Sequence, residues 1–414
     1  SAYYLASVAN NIYLNPEGII ELKGLSMSQM FFKGFLEKLD IDIQIIRHGK
    51  FKSAVEPFTL EKMSTANRQQ MTLFLNSIAD NIMDSIASQR GFSLSEIQKH
   101  ANNLSLESAK ICLELNYVDA LLYQDQIEDS LLEISGSEKL NFISLNKYTD
   151  IKIKKEDISR NKIAIIYATG TINSGKGDEK SIGSETTAKA IKQAREDKNV
   201  KAIVFRINSG GGSALASDVI WRETILTKKA KKPIVVSMGD YAASGGYYIA
   251  CTADSIVANP TTLTGSIGVF GMVPNLQKFY KNKLGITIDT VNSNAHADIG
   301  TNRPLSQFER NKIQKSISDI YAGFISKVGE GRGMSTNAVD EIGQGRIWTG
   351  YDAKSIGLID TYGGIEKAIE IASLLAKVED YRIISLPKKK DPFTELALKL
   401  GGETSISDIV MQKL

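Results

Sequence analysis

The chain has 414 residues, 42% of them hydrophobic, which suits two domains with real cores. Its 50 Lys and Arg nearly balance 47 Asp and Glu, and a net charge of +3 provides no basic field for nucleic acid as a main partner. Two distant cysteines without a CxxC pair, and three scattered histidines, argue against a zinc site and against a histidine-based triad.

The chain opens with "SAYYLASVANNIYLNP", which reads as a helix running into a strand. Starting inside such an element, and with no signal peptide or apolar membrane-length stretch, the sequence reads as a fragment that lacks any anchor its parent carries. "KLDIDIQIIRHGK" (Lys38 to Lys50) alternates apolar and polar residues and predicts a strand. Met71, Leu75, Ile78, Ile82 and Ile86 then mark one stripe of a helix. Cys112 and Cys251 sit in apolar surroundings and read as small core residues.

The same passages return further along. "YYIACTADSIVANP" answers the opening lines. "KLGITIDTVNSNA" (Lys283 to Ala295) answers the first alternating strand and predicts another. Ile313, Ile317, Ile320, Phe324 and Val328 repeat the helical stripe at the same spacings, with the offset held between 242 and 245. The second copy has a front half that the first lacks. "KIAIIYATG", "KAIVFRINSGGGS" and "KKPIVVSMGDYAASGG" are β-branched runs ending in glycine-rich turns, separated by helix-like segments over Thr186–Arg195 and Ala214–Thr227. That is a βαβ rhythm with strands buried on both faces. The fold class is therefore α/β. Residues 1–148 form the back half of a first unit, 149–161 a charge-rich linker, 162–372 a complete second unit, and 373–414 a tail with a Lys run and a short amphipathic helix.

Three glycine-rich sites in the second copy could carry chemistry. In "NSGGGS" (Asn208 to Ser213), glycines let backbone N–H groups converge where an anion or oxyanion would sit, although the spacing fits neither a Walker motif nor GxGxxG. Ser244 in "DYAASGG" stands between small neighbours, as a nucleophile or as a helix N-cap. Ser266 in "LTGSIG" reads by itself as a turn serine. A serine nucleophile needs a base, and a desolvated lysine can serve. Lys52 in "GKFKSAVEPF" has no counterpart in "SNAHAD" of the second copy, and the serine segment is complete only in the second copy. Two half-sites point to a composite site drawn from different domains or subunits.

"KSAVEPF" and "AASGGYYI…VANPTTLTGSIG" resemble the signal peptide peptidase A (protease IV) family of Ser–Lys peptidases. The resemblance covers essentially the whole chain. It implies tandem ClpP/crotonase-like domains, the first truncated at its N-terminal side. It implies Ser244 as nucleophile, Lys52 as general base, Ser266 as the serine that hydrogen-bonds the lysine, and Gly212 and Gly245 as oxyanion-hole donors. It also implies no metal and no cofactor, peptide substrates that are signal-peptide remnants, and a homotetramer. The place implied is the bacterial inner membrane, reached through an anchor absent from this chain, with the catalytic part facing the periplasm or exterior. One departure stands out: Gly210 occupies the place of a family proline. A crotonase-type acyl-CoA enzyme and a non-catalytic assembly scaffold are the alternatives.

Overall fold

The computed structural model describes residues 2–149, 159–178 and 180–387. The tail helix and most of the linker lie outside these residues. The chain forms two compact units, each assembled from separate stretches. One contains residues 1–158, 259–329 and 334–358; the other contains 159–258, 330–333 and 359–414. The repeats describe kinship along the sequence, whereas the units describe contact in space.

The second of these units is built on a parallel sheet. Lys162–Thr169 lies between Arg382–Leu386 and Val200–Ser209, followed in order by Ile234–Ala243, Ser255–Ala258 and Thr361–Tyr362, with every pairing parallel. Parallel neighbours need crossover connections. The predicted helices supply them over Ser184–Glu196 and Ala214–Lys229, the latter capped by Ser213 Oγ accepting from Ala216 N at 3.2 Å. Ile163, Ile165, Val204, Val235 and Val257 pack against Ala368 and Ala372 of the helix Ile365–Ala376. Their sequence neighbours Ala164, Ile166, Ile203 and Val236 are equally buried. Covering both faces is what makes these strands continuous apolar runs, and the α/β class expected from the sequence is the one observed.

The other unit is held by two long helices, Thr65–Arg90 and Gln307–Arg332, the equivalents predicted from the repeated stripe. Ser64 caps the first through Asn67 N at 3.1 Å, and Gly91 ends it with φ +75°. The buried face of that helix is rotated from the expected stripe. Phe74, Met83, Ile86 and Ala87 are buried along with Asn67 and Gln70, while Met71, Leu75, Ile78 and Ile82 are half-buried. Cys112 is fully buried among Ile12, Tyr117 and Val118, as a core cysteine should be. Asp42–His48 forms the first predicted strand and pairs antiparallel over seven residues with Val269–Asn275, from Val269 opposite His48 to Asn275 opposite Asp42. Ile46 of that ribbon packs with Leu305 and Ile317.

The second predicted strand, Lys283–Ala295, is absent. The helix Gln277–Leu284 ends at Gly285 with φ +68°, and residues 286–292 belong to no strand. The alternation of Ile286 and Ile288 is real, but a strand exists only when its backbone groups find a ladder partner, and none lies beside this segment among the described residues.

Candidate active site

Ser244 sits where the strand Ile234–Ala243 turns into the four-residue helix Gly245–Tyr248. Its backbone is in a left-handed conformation, φ +53° and ψ −121°, which costs a non-glycine residue about 1–3 kcal/mol. It occupies the N-cap position, yet its side chain makes no capping hydrogen bond. A positive-φ residue at a strand-to-helix turn is also the backbone arrangement of a nucleophile elbow.

The glycine-rich loop comes from the neighbouring strand Val200–Ser209. Gly211 has φ +101°, and a Cβ there would stand 2.5 Å from Gly245 N and 2.9 Å from Ser244 Cβ, so the backbone can pass Ser244 this closely only as glycine. A Cβ on Gly245 would meet Ser217 Oγ at 2.6 Å and Gly212 N at 3.1 Å. Gly212 is held from the other side, where Ile172 N donates to Gly211 O and Ser213 N to Ile172 O. The amides of residues 212 and 245 are therefore neighbours beside Ser244. Gly210, by contrast, has no positive φ, and a Cβ there would meet only the Tyr241 ring, at an ordinary 3.9 Å. The family proline is missing at a position that does not demand glycine, and the turn is made by the residues after it.

Lys52 and Ser266 lie together in the other unit. Lys52 leaves the strand Asp42–His48 through a turn, and Ser266 precedes its ladder partner Val269–Asn275, so one antiparallel ribbon delivers both. Lys52 Nζ donates to Ser266 Oγ at 3.0 Å and to Ser266 O at 3.2 Å. Lys52 is only 5% exposed. Desolvation disfavours its ammonium form and pulls its pKa from 10.5 down to about 8. Space for the side chain is made by Gly345, φ +82°, where a Cβ would strike Lys52 Cβ at 2.6 Å. Ser266 also has a left-handed backbone, φ +50°, and its N–H donates to Arg346 O at 2.7 Å.

A buried polar network that sequence reasoning missed holds the lysine turn. Gln70 Nε2 donates to Phe51 O at 3.0 Å and to Ser53 Oγ at 2.6 Å, bracketing Lys52, while Arg47 Nη1 donates to Lys52 O at 3.1 Å. Glu56, 1% exposed, accepts from Ser64 Oγ at 2.6 Å and Asn67 Nδ2 at 3.0 Å, tying the same turn to the helix N-terminus. The available signal was polar residues at 67 and 70 inside an otherwise amphipathic helix, one turn apart. The histidines take no part: His48 stacks on Tyr321, His100 meets Tyr117 Oη, and His296 meets Glu309. No cluster of metal-ligating side chains occurs among the described residues.

A family model described as peptidase family S49 matches residues 1–136 and 227–379. Among curated relatives, Protease 4 of Salmonella typhi is 37% identical over 390 residues, covering 92% of this chain and 63% of that protein. The putative signal peptide peptidase SppA of Enterococcus faecium is 34% identical over 266 residues, covering 63% of this chain and 76% of that protein. The chain thus spans less than two thirds of the length of the Salmonella relative. Among solved structures, a ClpP1 mutant from Listeria monocytogenes aligns with a TM-score of 0.34 and 16% identity, covering 50% of this chain and 94% of that one.

Proposed function

The chain belongs to peptidase family S49, and from that premise we propose that it is a serine endopeptidase with Ser244 as nucleophile and Lys52 as general base. The observation that carries the proposal is the state of Lys52: a buried lysine whose pKa has fallen to about 8 and whose amine is oriented by Ser266 Oγ. A lysine in that state is a usable base near neutral pH, which an ordinary surface lysine is not. The strained turn at Ser244 supports the other half of the pair.

In the proposed reaction, neutral Lys52 Nζ takes the proton of Ser244 Oγ as that oxygen bonds to the peptide carbonyl carbon. The carbonyl oxygen becomes an oxyanion and accepts from the N–H groups of Gly212 and Gly245, each worth about 3 kcal/mol in such a site. Collapse breaks the C–N bond, and the departing amine takes the proton from the Lys52 ammonium. A water then gives its proton to Lys52 and attacks the acyl ester. Collapse releases the carboxylic acid and returns the proton to Ser244. Ser266 holds the lysine in place throughout.

The substrates proposed are apolar peptides, specifically signal-peptide remnants, and the working form is a homotetramer at the bacterial inner membrane, its catalytic part facing the periplasm or exterior. The Enterococcus relative's name supports the substrate class. No helix among the described residues is long and apolar enough to cross a membrane.

The test is hydrolysis of an apolar fluorogenic peptide by the chain, by Ser244→Ala, by Lys52→Ala and by the two variants mixed. The proposal expects cleavage by the first and loss in each variant alone. Recovery on mixing would assign the two half-sites to neighbouring subunits, and no recovery would mean either that they sit in one chain or that the subunits do not exchange. Variants that cleave as well as the unmodified chain would overturn the Ser–Lys reading.

A further inference from the structure

The internal repeat and the observed ribbon together leave two segments whose partners are missing. In the second copy, Val269–Asn275 is a strand; in the first copy, Asp42–His48 is a strand, and the two pair with each other. Their counterparts are different. Aligning Met27 with Met272, Lys33 with Lys278 and Leu39 with Leu284 places residues 24–30 opposite 269–275 in kinship, and residues 287–293 opposite 42–48. Neither counterpart is in a strand.

We propose that residues 24–30 of one chain pair antiparallel with residues 287–293 of a second copy, repeating between chains the ribbon that joins the two repeats within one. The register follows from the observed one. Met272 opposite Ile45 becomes Met27 opposite Thr290, Gly271 opposite Ile46 becomes Ser26 opposite Val291, and Val273 opposite Gln44 becomes Ser28 opposite Asp289. At one of these pairs the pattern of sizes carries over: Ser26 would face β-branched Val291 as Gly271 faces Ile46.

Three further observations favour this occupant. Residues 281–297 are all exposed, and Ile286, Ile288 and Val291 are 51%, 43% and 99% exposed, an apolar surface that a lone chain has no reason to keep. Leu25 and Met27 are 46% and 45% exposed, close to the 41% and 42% of their counterparts Phe270 and Met272 in the existing ribbon. The ends of the second segment are already fixed, by the helix Gln277–Leu284 on one side and on the other by Arg303 bridging Asp298 and Glu309 at 2.7 Å each. A segment pinned at both ends and paired to no strand can accept one from a second chain. The contact is head-to-tail, so identical contacts either close into a ring or grow without limit.

This inference rests on the self-association in the proposed function and adds where it occurs. It is tested with Ser28→Cys and Asp289→Cys made in separate chains, mixed and oxidised, beside sedimentation of the unmodified chain. Directly opposed residues of an antiparallel pair have Cα atoms about 4.5–5.5 Å apart, within disulfide reach. Ser293→Cys serves as the out-of-register control, about 13 Å further along the strand. All three positions are exposed, and the native Cys112 and Cys251 are fully buried. The expected result is an assembled chain and an S28C–D289C cross-link at least about tenfold more abundant than S28C–S293C. An assembled chain without that preference would overturn the strand pairing while leaving self-association intact. A monomer at all concentrations would overturn both.

Discussion

Replacing Lys52 by methionine removes a buried ammonium of similar length and exposes what its burial costs. With the pKa moved from 10.5 to about 8, the folded chain releases this proton more readily than the unfolded chain. Linkage then gives a penalty of about 3 kcal/mol, fully present below about pH 8 and relieved as pH rises from there to about 10.5. Against this, Lys52→Met loses the hydrogen bonds to Ser266 Oγ and Ser266 O, each worth about 1 kcal/mol. The variant is therefore expected to be more stable than the unmodified chain by about 1 kcal/mol near pH 7. It should lose that advantage near pH 10, and be inactive at both. Urea unfolding of the two proteins at the two pH values measures the difference directly. A variant less stable at pH 7, by an amount that does not change with pH, would refute the claim that this lysine is held against its own solvation.

Gly245→Ala places a methyl group 2.6 Å from Ser217 Oγ and 3.1 Å from Gly212 N; kcat should fall by about 10²–10³ with KM little changed if the two amides bind the oxyanion, as steady-state kinetics will show. Ser244→Gly removes a left-handed serine and should stabilise the chain by about 1 kcal/mol in denaturant unfolding while abolishing turnover. Gln70→Ala leaves Phe51 O and Ser53 Oγ without this donor; about 1–3 kcal/mol of stability should be lost. With the turn loosened, the pH midpoint of kcat/KM should move upward as water reaches Lys52.

Much of this fold is written plainly in the chain. Ile163 to Ile166, Ala202 to Phe205 and Ile234 to Val236 are buried on both faces, so their apolar runs could mean little else than parallel strands. Ser244 and Lys52 stood out because the repeats could be compared, whereas Ser266 reads by itself as a turn serine and is singled out only by the resemblance; the structure has Lys52 Nζ 3.0 Å from Ser266 Oγ. What stayed hidden has physical causes. Asn67 and Gln70 are polar residues that face inward, and a search for apolar periodicity passes over them. Residues 286–292 carry a strand pattern without a strand, because alternation records a preference and the ladder needs a second segment that the pattern does not name. The left-handed backbone at Ser244 and Ser266 is likewise invisible in a sequence where non-glycine residues occupy those points.

The proposed function stands on Ser244 as a nucleophile made reactive by Lys52. It is tested most directly by the rate at which a serine-directed fluorophosphonate labels the chain as a function of pH, with the labelled residue located by peptide mass analysis. The predicted result is a single label on Ser244. Its rate should climb about tenfold per pH unit, level off above about pH 8 where Lys52 is neutral, and collapse in Lys52→Ala. Label on another residue, or a Lys52→Ala chain that labels at the same rate with the same pH profile, would contradict it.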